Sequence, residues 1–142
     1  MRRLSEKASA KVQRVKASGV RRAHTSGPLP PSFHCAQQYK QYDSELFTLK
    51  LDQANSHVYI QGEVAKIRNI IVEKKEVYLV YSKYAHQESY FEYPMPSSSF
   101  GIHLVDGLLD MTHHCHIGLV EGKAFLIPHG RQFVAVPLIH LD

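Results

Sequence analysis

The sequence predicts an all-β fold, a small partly closed barrel or two-sheet sandwich behind a disordered basic N-terminal arm. Three observations predict it. Glu63–Tyr84 reads EVAKIRNIIV, EKK, EVYLVYSKY, two runs rich in Val, Ile, Leu and Tyr around a charged link at Glu73-Lys74-Lys75. That composition, broken by a short polar turn, is a β-hairpin pattern. Between Leu46 and Leu141 about eight strand candidates follow at close spacing with turn signals between them, the pattern of a sandwich or barrel. Finally, charge is segregated: residues 1–26 hold eight Lys/Arg against Glu6 alone, and the remainder nine against twelve Asp/Glu. The basic balance therefore belongs to the leader and not to the folded part.

The basic arm spans residues 1–26. Leu4, Ala8, Val12 and Val15 recur at near-helical spacing, but one thin apolar stripe makes only a marginal helix in water. Its cations are Arg2, Arg3, Lys7, Lys11, Arg14, Lys16, Arg21 and Arg22. They suit contact with nucleic acid or a nuclear-import role. An Arg- and Ser-rich, acid-poor mitochondrial presequence and a plain solvated tail are the alternatives. The expected location is nuclear, with mitochondrial or cytoplasmic as alternatives. Residues 27–32, GPLPPS, form a Pro-rich linker that no helix can cross. The β-rich domain then spans residues 33–142.

Within it, HCAQQYKQYDSE is ambiguous, and Leu46–Leu51 reads as a strand. Asp52–Asn55 carries turn chemistry, and His57–Ile60 is a short apolar strand. In the hairpin, plain alternation puts Ala65, Ile67, Asn69 and Ile71 on one face, and Ile70 and Val72 on the other. Ser89–Tyr93 reads as an aromatic strand stopped by Pro94 and Pro96. Strands are also expected over Phe100–Val105, Gly118–Ile127 and Gln132–His140, with a histidine-rich connection at residues 112–116. No apolar run is long enough to span a bilayer as a helix, so no membrane contact is expected. Two cysteines, Cys35 and Cys115, are expected as reduced thiols.

Three constellations could carry chemistry. Thr112-His113-His114-Cys115-His116 holds metal-ligand residue types, but on a strand His114 and His116 share one face, opposite His113 and Cys115. Two ligands do not close a tetrahedral site, so His114 and His116 stand only as weak metal candidates, and no cofactor is expected. Tyr78, Tyr81, Tyr84, Tyr90 and Tyr93, with Phe91, crowd neighbouring strands. They are a candidate aromatic surface for caging a methylated lysine or stacking bases, and ordinary strand formers otherwise. Nucleophile elbows and phosphate-cradling loops are not present.

Three families share stretches of this pattern. His114, His116 and Glu121, followed by Gly122, Pro128 and Gly130, resemble the two cupin motifs, which would imply a metal-dependent enzyme. The motifs overlap, however, and Phe133 stands where the last histidine ligand belongs. Glu63–Ile67, Val77–Tyr81, Glu88–Phe91 and Gly122–Leu126 resemble a bromo-adjacent homology (BAH) domain, which implies a chromatin interaction module. Ile67–Ile71, Tyr93-Pro94, Gly101-Ile102 and Pro137–His140 resemble a C-terminal segment of transposon-associated animal proteins. The expectation is a non-enzymatic binding module that contacts a protein partner through the domain and nucleic acid through the arm.

Overall fold

The computed structural model describes residues 19–33 and 35–138. Ten strands make up the fold: β1 Val20–His24, β2 Gln37–Asp43, β3 Thr48–Lys50, β4 His57–Ile60, β5 Glu63–Glu73, β6 Glu76–Ser89, β7 His103–Leu108, β8 His113–His116, β9 Val120–His129 and β10 Gln132–Pro137. Short 3-10 turns occupy Ser97–Phe100 and Ile117–Leu119. Every pairing is antiparallel. The mostly-β class is as the alternating runs require.

The β5–β6 hairpin is the spine of the molecule because both strands are long enough to serve two sheets. One half of the hairpin joins β4, β9, β10 and β7 in a hydrogen-bonded ring of six strands that closes back on β5. The other half pairs with β8 beyond β6, and with β2 and then β1 beyond β5, while β3 flanks β2. Where the β5–β6 ladder ends, a side chain continues it. The Gln87 amide accepts the Val64 N–H and donates to the Val64 carbonyl, both at 2.9 Å.

A bulge divides the two halves. Ile67 faces Tyr81 and Asn69 faces Val80, so Arg68 is the extra residue on β5. One inserted residue reverses the alternation beyond it. Ala65 and Ile67 before the bulge, and Ile70 after it, therefore enter one core, together with Val58, Leu49, Val77, Leu79, Cys115 and Ile117. Plain alternation misassigns Ile70 and Ile71 for this reason. Ile71 instead packs under Phe33 with Val80. The inside of the ring is a separate core, to which each of its six strands contributes one buried residue: Tyr59, Val64, Tyr84, Val105, Ala124 and Ala135.

Several boundaries move for local physical reasons. Residues 19–26, expected within a disordered arm, include β1, because Val20, Arg21, Ala23 and His24 register against β2. The stretch 27–32 is docked on the sheet and not a free linker: the Gly27 N–H donates to Gln38 Oε1 and the Asn69 amide donates to the Pro28 carbonyl. The ambiguous segment at 37–43 forms β2. Leu46–Leu51 shortens to Thr48–Lys50. Of the expected strand Ser89–Tyr93 only Ser89 is in one, as the end of β6, since the Ser97 hydroxyl accepts the N–H groups of Tyr90 and Phe91 and folds them into a loop. Gly101, with φ at +82°, breaks the expected Phe100–Val105 strand, and β7 starts at His103. The connection at 113–116 is itself β8, Gly118–Ile127 shifts to β9, and the last strand ends at Pro137.

Inside the ring His57 is buried, its Nε2 lying 2.8 Å from the Tyr84 hydroxyl. Burial first, and the Lys66 charge second, hold its pKa down to about 4. The folded state thus prefers neutral imidazole, and the unfolded chain binds more protons below its ordinary pKa of about 6.5. Stability should be intact at neutral pH and lost as pH falls from about 6.5 toward 4. In urea melts the loss between pH 7 and 4.5 should be steeper, by about 2–3 kcal/mol, than in His57→Gln. Parallel pH profiles would contradict this.

The hairpin turn supplies a second expectation. Lys74 and Lys75 both hold positive φ, 54° and 69°, a conformation that two-residue hairpin turns require and Asn-Gly adopts most readily. Replacing Lys74-Lys75 with Asn-Gly should raise the unfolding free energy by about 1 kcal/mol or more. An unchanged or lower thermal midpoint would count against it.

Candidate functional site

The docking of the segment from β1 to Pro28 onto the spine creates a cleft. Asn69, fully buried just after the bulge, is the fixing point. Its Oδ1 accepts the Ile70 N–H at 2.9 Å and lies 3.0 Å from His24 Nε2. Its amide donates to the Pro28 carbonyl at 2.9 Å and to Gln38 Oε1 at 3.0 Å. A buried amide is stable only when satisfied in this way. Gly27 must be glycine here, because a Cβ would sit 2.6 Å from the Asn69 side chain.

Beside this anchor lies an open cleft of about 500 Å³. Arg22 and His24 reach it from β1, Lys40 and Gln41 from β2, Lys50 from β3, and Arg68 from the bulge of β5. Leu51 and Asp52 also line it. Arg22 sits at φ 63°, a backbone state that non-glycine residues hold only where surrounding structure enforces it. Arg68 is oriented by its Nη1 donating to the buried Ser82 hydroxyl at 3.2 Å.

The balance of charge in this cleft is uneven. Four full cations face one carboxylate, Asp52. Burial pushes the Asp52 carboxyl up, but hydrogen bonds from the Asn55 backbone and side chain, helped by Lys50, bring it below its ordinary value. It stays ionised and is occupied with its own turn. Asp43 is likewise taken: it holds Arg21 at 2.7 Å and accepts Gln41 and Thr48. Among the described residues Arg22, Lys40, Lys50 and Arg68 have no carboxylate within ion-pair distance.

Two further lysines bond to residues that flank the Lys50–Asp52 stretch. Lys66 donates to Ser56 Oγ, and the buried Lys123 donates to the Thr48 carbonyl and Asn55 Oδ1. Both pKa values are lowered by burial first. Arg68 adds to the depression of Lys66, and Lys50 to that of Lys123, while Asp52 opposes each. Arg68 and Lys50 thus disfavour the charge of the lysine beside each, and an anion would relieve that repulsion.

The residues singled out from sequence scatter. Arg22 lines the cleft and Arg21 pairs with Asp43, while Arg2, Arg3, Lys7, Lys11, Arg14 and Lys16 lie outside the described residues. The five tyrosines share no surface. Tyr81 is in the larger core, Tyr84 inside the ring, and Tyr78 packed at a tilt against Phe33, with ring centroids 5.0 Å apart. Only Tyr90 and Tyr93 are exposed.

The β8 histidines alternate as strand geometry demands. His113 stacks on Tyr81, His114 meets Phe33 edge-on, Cys115 enters the core, and His116 lies 2.5 Å from a Glu76 oxygen. Glu121, the third residue of the cupin pattern, accepts the Gly62 N–H and does not meet the two histidines. Among the described residues no three His, Cys, Asp or Glu side chains are placed to hold a metal ion. Lys40, Lys50, Arg68 and Asn69 were missed because they are isolated in sequence, and charge offered no signal, since residues 27–71 hold four Lys/Arg against four Asp/Glu.

The family model of a domain of unknown function, DUF8592, matches residues 23–138. Comparison with curated proteins and with solved structures gives no match.

Proposed function

This chain belongs to the DUF8592 family, described only as a domain of unknown function, and we propose that it is a non-enzymatic binding module that grips the phosphate backbone of nucleic acid in the basic cleft. One observation carries the reading: Arg22, Lys40, Lys50 and Arg68 come from four different strands to one open cleft that offers them no ion-pair partner among the described residues. Cations collected in this way favour a polyanion. Among the described residues no Phe, Tyr or Trp lines the cleft, so the ligand would be held by its phosphates and not by stacked bases, and binding would be independent of base sequence. Residues 1–18 add Arg2, Arg3, Lys7, Lys11, Arg14 and Lys16. They run into β1, which carries Arg22 into the cleft. The leader and the cleft thus suit one strand followed from one to the other.

The test is the salt dependence of binding of a fluorescein-labelled oligo-dT to the full chain. Each phosphate neutralised adds about 0.7 to the slope of log affinity against log salt for a single strand. The double variant Lys40→Glu/Lys50→Glu should weaken binding at least tenfold and reduce that slope by about 1.4. An affinity and slope equal to wild type would remove the cleft from the account.

A further inference from the structure

A second stretch of the chain has the opposite charge and a different chemistry. From Tyr84 to Gly122 the chain contains no Lys or Arg, while Glu88, Glu92, Asp106, Asp110 and Glu121 fall in that interval. The loop that follows β6 lies within it and is built around one buried hydroxyl. Ser97 Oγ accepts the Tyr90 N–H at 2.6 Å and the Phe91 N–H at 3.1 Å, and donates to the Ile102 carbonyl at 2.9 Å. The Ser97 N–H donates to the Phe91 carbonyl at 2.7 Å, and the Ser89 and Ser98 hydroxyls join at 2.8 Å. The loop is therefore fixed from within by polar contacts.

Its large side chains are left outside. Tyr93 is 89% exposed, with Phe100, Met95, Tyr90 and Phe91 also exposed. The Tyr90 ring stands edge-on to Phe91 at 6.4 Å and to His129 at 5.2 Å. This joins the loop to the end of β9, where Ile127 is 52% exposed. So many exposed apolar groups on a pre-formed loop mark an interaction surface. Glu92 is exposed between Phe91 and Tyr93.

We propose that this loop docks a Lys- and Arg-rich segment of a protein partner, with Tyr93, Phe91 and Tyr90 meeting the cationic side chains and Glu92 supplying the opposing charge. Aromatic faces attract ammonium and guanidinium groups, and this stretch holds no cation to repel them. No residue of the basic cleft takes part, so the two readings stand or fall separately.

The probe is a fluorescein-labelled peptide of six Lys-Gly repeats, titrated with the full chain and followed by fluorescence polarisation. Saturable binding is expected, weakened at least tenfold in Phe91→Ala/Tyr93→Ala and about threefold in Glu92→Gln. It should be unchanged in Lys40→Glu/Lys50→Glu, the variant that disables the cleft. The altered side chains are exposed or, for Lys50, half-buried, and a cooperative thermal transition would show that each variant is folded. Failure of the peptide to bind saturably would overturn the proposal. Equal binding by wild type and Phe91→Ala/Tyr93→Ala would overturn it too.

Discussion

The structure depends on one extra residue in β5. Arg68 bulges between Ile67 and Asn69, and the reversal of phase that follows sets everything beyond it. Ile70 joins the core that Ala65 and Ile67 began. Ile71 turns the other way, to be covered by Phe33. Asn69, which in an unbroken ladder would lie among the core residues, emerges beneath the incoming N-terminal segment and is hydrogen-bonded on every polar atom. The bulged residue itself is delivered to the cleft. A core, an anchor and a cation site thus follow from a single local irregularity.

The cleft is a consequence of that anchor. The segment from β1 to Pro28 would bury too little apolar surface to hold itself on the sheet, since most of its residues are exposed. It is held by backbone pairing to β2 and by the Asn69–Gln38–Gly27 contacts. Once held, it sets Arg22 and His24 opposite Lys40, Lys50 and Arg68. Lys123 and Lys66 bond to Thr48, Asn55 and Ser56, which flank the Lys50–Asp52 stretch of the lining. A buried ammonium without a carboxylate partner is an expensive group to place, and the buried Lys123 and half-buried Lys66 add to the positive potential near the site.

Much of the fold was legible in the sequence. The β-class, the hairpin at Glu63–Tyr84 and the alternation of His113 to His116 follow from side-chain patterns with a period of two. The bulge was not legible, because Arg68 is not a glycine or any other residue that announces one. The leader was read as unstructured up to Ser26 because its charge and low apolar content hide β1, whose stability comes from β2 and Asn69, more than ten residues away. The same non-locality hid the cleft: Arg22 and Arg68 are 46 residues apart in the chain and meet only through the pairing of β1, β2 and β5. The tyrosines misled for the opposite reason. They are adjacent in sequence, but strand alternation and the loop at Ser97 send them to different cores and to solvent.

Gathered with no carboxylate at ion-pair distance among the described residues, Arg22, Lys40, Lys50 and Arg68 should repel one another in the free protein, and on the proposed reading an anion relieves that repulsion. The direct measurement is the thermal midpoint of Lys40→Gln/Lys50→Gln against wild type at low ionic strength, repeated at about 1 M salt, where the Debye length is about 3 Å. The account predicts a higher midpoint for the variant at low salt, a difference that disappears at high salt, and weaker oligo-dT binding. A lower midpoint at low salt would mean that these lysines are already compensated within the fold, and it would contradict the account.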